Sequence, residues 1–252
     1  MRNLVLCTAF VLSTMVSFAQ KAAEDFYRQA NLKLAQGDTL GAIASCNHAI
    51  DLNPHYAEAY NGKGVIMYLS RQYKEAIQEF DQAIALQPTY AKAYYNRGLT
   101  HQMMGELEAA LDDYDEAIEQ KPYYPEVYFS RGYVLGELGD LRNEIKDYSM
   151  AIALKPTYAE AYFNRAVAEG KLGFYKEEVR DYDKVLKIRP DYADAYYNRG
   201  IAHTNLNRYE EAIQDFNRAI VLKPESADVY FHKGVALSKL TANNEKRLPK
   251  NW

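Results

Sequence analysis

Residues 91–124 read AKAYYNRGLTHQMMGELEAALDDYDEAIEQKPYY, and residues 193–226 repeat the pattern as ADAYYNRGIAHTNLNRYEEAIQDFNRAIVLKPES. Proline marks the period: Pro54, Pro88, Pro122, Pro156, Pro190 and Pro224 stand 34 residues apart. A single enzyme domain has no reason to space its prolines evenly. A stack of like helical units does, because each must end its second helix at the same place. A frame from Ala23 gives six full repeats, 23–56, 57–90, 91–124, 125–158, 159–192 and 193–226, and a seventh begins at Ala227.

Within this frame the fourth place is always aromatic (Phe26, Tyr60, Tyr94, Tyr128, Tyr162, Tyr196, Tyr230), and the eighth is Ala or Gly, from Ala30 to Gly234. The twentieth place holds Ala42, Ala76, Ala110 and Ala212, the twenty-fourth Phe80, Tyr114, Tyr148, Tyr182 and Phe216, and the twenty-seventh Ala49, Ala83, Ala117, Ala151 and Ala219. Small residues let two helices approach closely, while the rings fill the space around the contact. Each repeat therefore reads as two helices, such as 91–104 and 107–119. Between them stand glycines (Gly37, Gly105, Gly139, Gly173) suited to the left-handed residue that ends a helix. Thr157 with Glu160 reads as a capping box for the next helix. No repeat can bury its apolar face alone, so neighbours stack, and the expected fold class is all-α, an α-solenoid.

These residues resemble the tetratricopeptide repeat (TPR) family, with Tyr at the first aromatic place where Trp is usual. The resemblance covers nearly the whole chain beyond residue 22. It implies a right-handed superhelix of helix-turn-helix repeats over 23–240, with 227–240 as a partial capping helix and 241–252 as a C-terminal tail. In that tail Thr241-Ala242-Asn243-Asn244 replaces the usual turn, and Pro249 spoils a second helix. The apolar Val229, Val235 and Leu237 make homodimerisation through this end an expectation.

The first 19 residues form a separate object. Met1-Arg2-Asn3 is a short positive start, Leu4–Phe18 carries no charge, and Ser17-Phe18-Ala19 offers small residues where a signal peptidase reads. We expect a signal peptide, 1–19, cleaved after Ala19, and an exported bacterial protein, periplasmic or secreted, with no membrane span after cleavage. An uncleaved anchor is the alternative, but the run is short of the roughly 20 residues a span needs. Loss of the leader removes only Arg2 and moves the formal charge from −4 to −5. That balance argues against nucleic acid, which needs a basic face. Cys7 leaves with the leader and Cys46 remains alone, so no disulfide can form within the mature chain.

No glycine loop is built to cradle phosphate, and the five histidines show no metal-ligand pair at one-turn spacing. No Ser or Cys has a recognisable base partner. No catalytic residue, metal or cofactor is therefore expected, and the expected work is recognition.

The resemblance implies a concave groove lined by the first helix of each repeat. Its fifth place carries Tyr27, Asn61, Tyr95, Phe129, Phe163, Tyr197 and Phe231; its sixth includes Asn96, Asn164 and Asn198; its ninth includes Leu99 and Tyr133. The second place is mostly acidic: Glu24, Glu58, Glu126, Glu160, Asp194 and Asp228. An aromatic floor with spaced amides and an acidic rim suits an extended or helical peptide, since rings supply area at low entropic cost and Asn both donates and accepts. The expected binding residues are Tyr95, Asn96, Leu99, Phe129, Tyr133, Phe163, Asn164, Tyr197, Asn198 and Phe231, and the expected partner is a protein or peptide of the bacterial envelope. A chaperone-type carboxylate clamp wants Lys at the fifth place and Asn at the ninth of one repeat, a combination no repeat supplies. A self-associating structural subunit and a module stacking envelope glycan on its rings are the alternatives.

The repeats also serve as their own controls. Lys63, Arg97, Arg131, Arg165 and Arg199 at the seventh place accompany Glu79, Asp113, Asp147, Asp181 and Asp215 at the twenty-third. This predicts a charge ladder between paired helices, within or across repeats, that sets register. Glu144 and Glu178 replace the packing Ala of the twentieth place, in the two repeats that carry Gly136 and Gly170 at the twelfth. A buried carboxylate is costly unless paired or wet, and these glycines would vacate the room it needs.

Overall fold

A computed structural model describes the backbone of residues 2–247 and the side chains of residues 18–245. Among the described residues there are thirteen α-helices and no strand. First helices are α3 (Ala57–Leu69), α5 (Ala91–Met104), α7 (Pro125–Glu137), α9 (Ala159–Lys171) and α11 (Ala193–Asn205). Second helices are α2 (Thr39–Leu52), α4 (Tyr73–Leu86), α6 (Leu107–Gln120), α8 (Leu141–Leu154), α10 (Tyr175–Ile188) and α12 (Tyr209–Leu222), with α1 (Arg2–Ala35) and α13 (Ala227–Arg247) at the ends. The fold is an all-α solenoid of helical hairpins. The helices group into two compact units that divide between Tyr123 and Tyr124, and within each unit successive helices pack against one another.

The break between paired helices obeys one backbone rule. Gly37, Gly105, Gly139 and Gly173 sit at φ between 77 and 83°, the left-handed region in which a Cβ is costly. The two other repeats place Arg71 (φ 62°) and Asn207 (φ 59°) there, so the turn survives without glycine. After each second helix comes one capping residue, such as Gln87 or Lys121, and then the periodic proline, which cannot continue the helix.

The core repeats as the small residues require. Ala42, Ala76, Ala110 and Ala212 are fully buried, as are Phe80, Tyr114 and Phe216. A Cβ on Gly98 would lie 2.7 Å from the Tyr114 ring, so glycine lets that ring lie on the first-helix backbone. Truncating such a buried ring to Ala costs about 3–5 kcal/mol. Cys46 fills an aromatic's place in the first repeat, and burial pushes its thiol up to about 11, leaving it unreactive.

The charge ladder is present on every expected rung. Lys63 lies 2.8 Å from Glu79, Arg97 2.6 Å from Asp113, Arg131 2.7 Å from Asp147, Arg165 2.6 Å from Asp181 and Arg199 2.6 Å from Asp215. Three arginines also reach the second helix of the preceding repeat: Arg97 to Asp81 at 2.6 Å, Arg165 to Ser149 at 2.9 Å and Arg199 to Asp183 at 2.5 Å. Pairing within and across repeats therefore coexist. Each of these guanidinium groups lies 5.6–5.7 Å from the fourth-place tyrosine ring of its own helix, as Arg97 does from Tyr94.

Three expectations need correction or placement. Thr157 and Glu160 do not form a capping box: Tyr158 is the N-cap, with no side-chain cap bond, and Glu160 accepts from Arg189 at 2.9 Å instead. Helix α13 runs through Thr241–Asn244 to Arg247 rather than ending at residue 240. Thr241 donates its hydroxyl back to the Leu237 carbonyl (3.1 Å), and no proline stands between Pro224 and Pro249. The expected leader, residues 1–19, lies outside the described side chains through residue 17, although the backbone continues as α1. The basic tail from Lys246, with Pro249, lies outside them as well.

Candidate binding face on the first helices

In the C-terminal unit the fifth-place rings are half-buried and spend their faces on other rings. Phe129 stacks on Tyr158 (5.0 Å, 29°) and tilts against Tyr148 (5.6 Å); Phe163 repeats this on Tyr192 (5.1 Å, 24°) and Tyr182 (5.5 Å). Lys155 and Arg189 lie over those same boundary tyrosines, each 4.5 Å from the ring centroid. Tyr197 packs against His232 (5.5 Å), with its hydroxyl 3.2 Å from His232 Nδ1. These rings are only partly open to solvent. Phe231 is 67% exposed and Tyr133 44%.

The sixth-place amides are partly engaged. Asn164 Nδ2 donates to the Tyr148 hydroxyl at 3.4 Å, and Asn198 bonds to the Tyr182 hydroxyl one repeat later. In the N-terminal unit Asn96 donates to Asn61 Oδ1 at 2.8 Å, Tyr95 tilts against Tyr114 (6.1 Å), and Leu99 is half-buried. Asn61 replaces an aromatic of the stripe and is buried.

Three of the six acids of the rim are neutralised. Glu126 pairs with Lys155 (3.6 Å), Glu160 with Arg189 (2.9 Å) and Asp194 with Lys223 (2.7 Å). A base at the thirty-first place of the same repeat answers the acid at the second, a pairing 29 residues apart that the one-turn periodicity of a helix does not display.

Two cavities open on the first-helix face of this unit, in equivalent positions of successive repeats. The first, of about 310 Å³, includes Tyr133, Gly136, Glu144, Tyr148, Asn164 and Lys171. The second, of about 250 Å³, includes Gly170, Tyr175, Glu178, Tyr182, Asn198 and Asn205. A Cβ on Gly136 would stand 2.7 Å from the Glu144 carboxyl, and one on Gly170 2.8 Å from that of Glu178, so these glycines do vacate the space the carboxyls occupy.

Both glutamates are buried, and burial pushes both carboxyls above the usual range, that of Glu178 to about 7 with help from the Glu169 charge. Sequence reasoning missed Glu169. It is buried on α9, pushed up to about 7 by burial and then by Asp181, and its Oε2 has no hydrogen-bond partner. The signal was its place: the eleventh, where two other repeats put His101 and His203 close to the equivalent aspartates.

Among the described residues no group of three or more His, Cys, Asp or Glu could hold a metal ion, and no helix is long and apolar enough to cross a membrane.

Comparison with known proteins gives a consistent picture. Tetratricopeptide repeat models match residues 91–124, 125–158 and 193–226, and a TPR repeat model matches 71–105 and 171–206. No curated protein matches the chain. Among solved structures it is similar to PilF of Pseudomonas aeruginosa (18% identity, 88% of this chain and 99% of that one, TM-score 0.74). It is similar to YrrB, described as a TPR protein with an unusual peptide-binding site (22% identity, 75% and 97%, TM-score 0.68). A tetratricopeptide repeat protein from Parabacteroides merdae is alike to a comparable degree (20% identity, 90% and 89%, TM-score 0.65). With these matches, the 34-residue period and the hairpin geometry, the chain belongs to the tetratricopeptide repeat family, whose repeats are protein-interaction scaffolds.

Proposed function

We propose that this protein is a non-enzymatic scaffold that holds a peptide or a segment of a partner protein against its first-helix face, and that it works after export in the bacterial envelope. One observation carries the reading. On a chain whose recurring places go into packing, the open recesses of the C-terminal unit stand at equivalent places of successive repeats on that face. A ligand that is itself a regular chain meets such a surface in register. The peptide-binding site named for YrrB makes a peptide the first ligand to test.

A photo-crosslinker at Tyr133 or Ile201, on first helices, should capture a peptide selected from a displayed library. The same group at exposed Lys146 or Lys184, on second helices, should not. Equal capture at all four positions removes the reading. Export has its own test: the mature protein from cells should begin at Gln20.

Self-association is favoured by one specific feature. Tyr230 (50% exposed), Phe231 (67%) and Leu237 (44%) leave apolar area on α13, whereas Val229, expected on this surface, is buried against α12. Light scattering of wild type against Phe231→Glu decides it: a dimer converted to monomer supports this contact, and a wild-type monomer ends it.

A further inference from the structure

We propose that the two cavities are paired receptors for basic side chains, each taking one Lys or Arg of an extended peptide. This rests on the first-helix face being the binding face. Other repeats close the twentieth place with a fully buried Ala, and only Glu144 and Glu178 bring a carboxyl there. The repacking that would make such a group harmless supplies a buried Arg or several donors; here Glu144 keeps only the Tyr148 hydroxyl, and the Glu178 carboxyl has neither donor nor cation.

Glu144 is 6% exposed, accepts a hydrogen bond from the Tyr148 hydroxyl, and leaves Oε2 buried without a hydrogen-bond partner. The nearest cation, Lys171, is an exposed rim residue that forms no ion pair with it among the described residues. The carboxyl of Glu178, a residue 7% exposed, makes neither a hydrogen bond nor an ion pair among the described residues. A buried carboxylate without a paired cation is held at a cost that an incoming one would relieve. The rest of each cavity fits such a guest: tyrosines for the aliphatic stem or guanidinium plane, and an Asn side chain beside the carboxyl.

The repeat supplies the spacing. Neighbouring first helices α7 and α9 touch, which places their axes about 8–10 Å apart. A peptide in the polyproline II conformation advances about 3.1 Å per residue and turns once every three, so two basic residues three apart face the same side and reach both cavities. The cavities are unequal. Lys171 at the rim of the first repels a cation, whereas Asn205 stands at the same place in the second, and Glu169 adds negative charge near Glu178. The Glu178 cavity is the stronger receptor.

The test is fluorescence anisotropy of the full mature chain with labelled peptides Gly-Ser-Arg-Gly-Ser-Arg-Gly-Ser, the same peptide with one or both Arg changed to citrulline, and free spermidine as competitor. Restoring each Arg should tighten binding about tenfold, equivalent to about 1.4 kcal/mol. Glu178→Gln should lose at least tenfold and Glu144→Gln somewhat less, while Glu210→Gln, an exposed carboxylate on α12, should change nothing. The Gln variants keep the shape of the carboxyl, and their melting curves verify folding.

The idea is overturned if the double-Arg peptide binds no better than the citrulline peptide, or if Glu210→Gln loses as much as Glu178→Gln. Spermidine binding more tightly than the peptide would overturn the peptide as guest. Should library peptides crosslink to Tyr133 and Ile201 while these basic peptides do not bind, the receptor assignment fails and the binding face stands.

Discussion

Glu178→Gln should stabilise the protein at pH 8 and leave it unchanged at pH 4. Burial and the Glu169 charge raise the Glu178 carboxyl from 4.5 to about 7, while Tyr182 and Tyr175 on its own helix and Asn198 and Asn205 on α11 bring no positive charge. A raised acid binds its proton more tightly folded than unfolded. Its contribution is therefore favourable below 4.5 and is lost as pH rises toward 7. Gln copies the neutral form at every pH, so the difference between variant and wild type grows across that window. At about 1.36 kcal/mol per unit the upper limit is about 3 kcal/mol. One side of the carboxyl opens on the cavity, and screening there reduces the effect to about 1–2 kcal/mol, or about 3–6 °C in melting temperature. Thermal denaturation followed by circular dichroism at pH 4, 6 and 8 measures it. A gain equally large at pH 4, or none at pH 8, would refute the placement of an uncompensated charge at this site.

Three further perturbations test the frame. Arg71→Gly relieves a left-handed non-glycine residue and should stabilise by about 0.5 kcal/mol net of the added freedom of the unfolded chain, read as a higher urea midpoint. Arg97→Ala strands the Asp113 carboxylate, whose side chain is 4% exposed, and should cost about 3 kcal/mol; adding Asp113→Ala should recover part of it, and strict additivity would exclude the pairing. Gly170→Thr should cost about 1–3 kcal/mol by pressing on the Glu178 carboxyl. Combined with Glu178→Ala it recreates the Thr204 and Ala212 pair of the sixth repeat, and the double variant should melt above Gly170→Thr alone.

What could be read from the chain is what recurs. The hairpin bounds, the left-handed break and the rungs of the charge ladder stand at fixed places, so each repeat checks the others and a chance residue cannot imitate them. Features that occur once, or that depend on contacts far along the chain, were hidden. Glu169 occupies its place in one repeat only. The acidic second place looked like an open rim because its neutralising partners are 29 residues away, and only the tertiary fold brings Arg189 to Glu160. The fifth-place aromatics looked like a floor, but the turn at the repeat boundary sets Tyr158 and Tyr192 directly on Phe129 and Phe163. Helix α13 was read short because Asn243 and Asn244 favour turns in isolation, a weak preference that packing overrides.

Stability and recognition meet in the same two carboxyls. In a stack of hairpins, destabilisation is felt mainly by the repeat that carries it and its neighbours, so Glu144 and Glu178 can be tolerated while the Ala212 repeat retains ordinary packing. The charge that makes wild type less stable at pH 8 is the charge a basic guest would neutralise. Ligand that binds only the folded form stabilises it by RT ln(1 + [L]/Kd). A double-Arg peptide should therefore raise the melting temperature at pH 8, where the carboxyls are ionised, and fail to raise it at pH 4, where protons already occupy them. If the peptide raised melting equally at both pH values, or did so in Glu144→Gln/Glu178→Gln, its grip would lie elsewhere on the protein, and the unpaired carboxylates would be a packing defect with no guest.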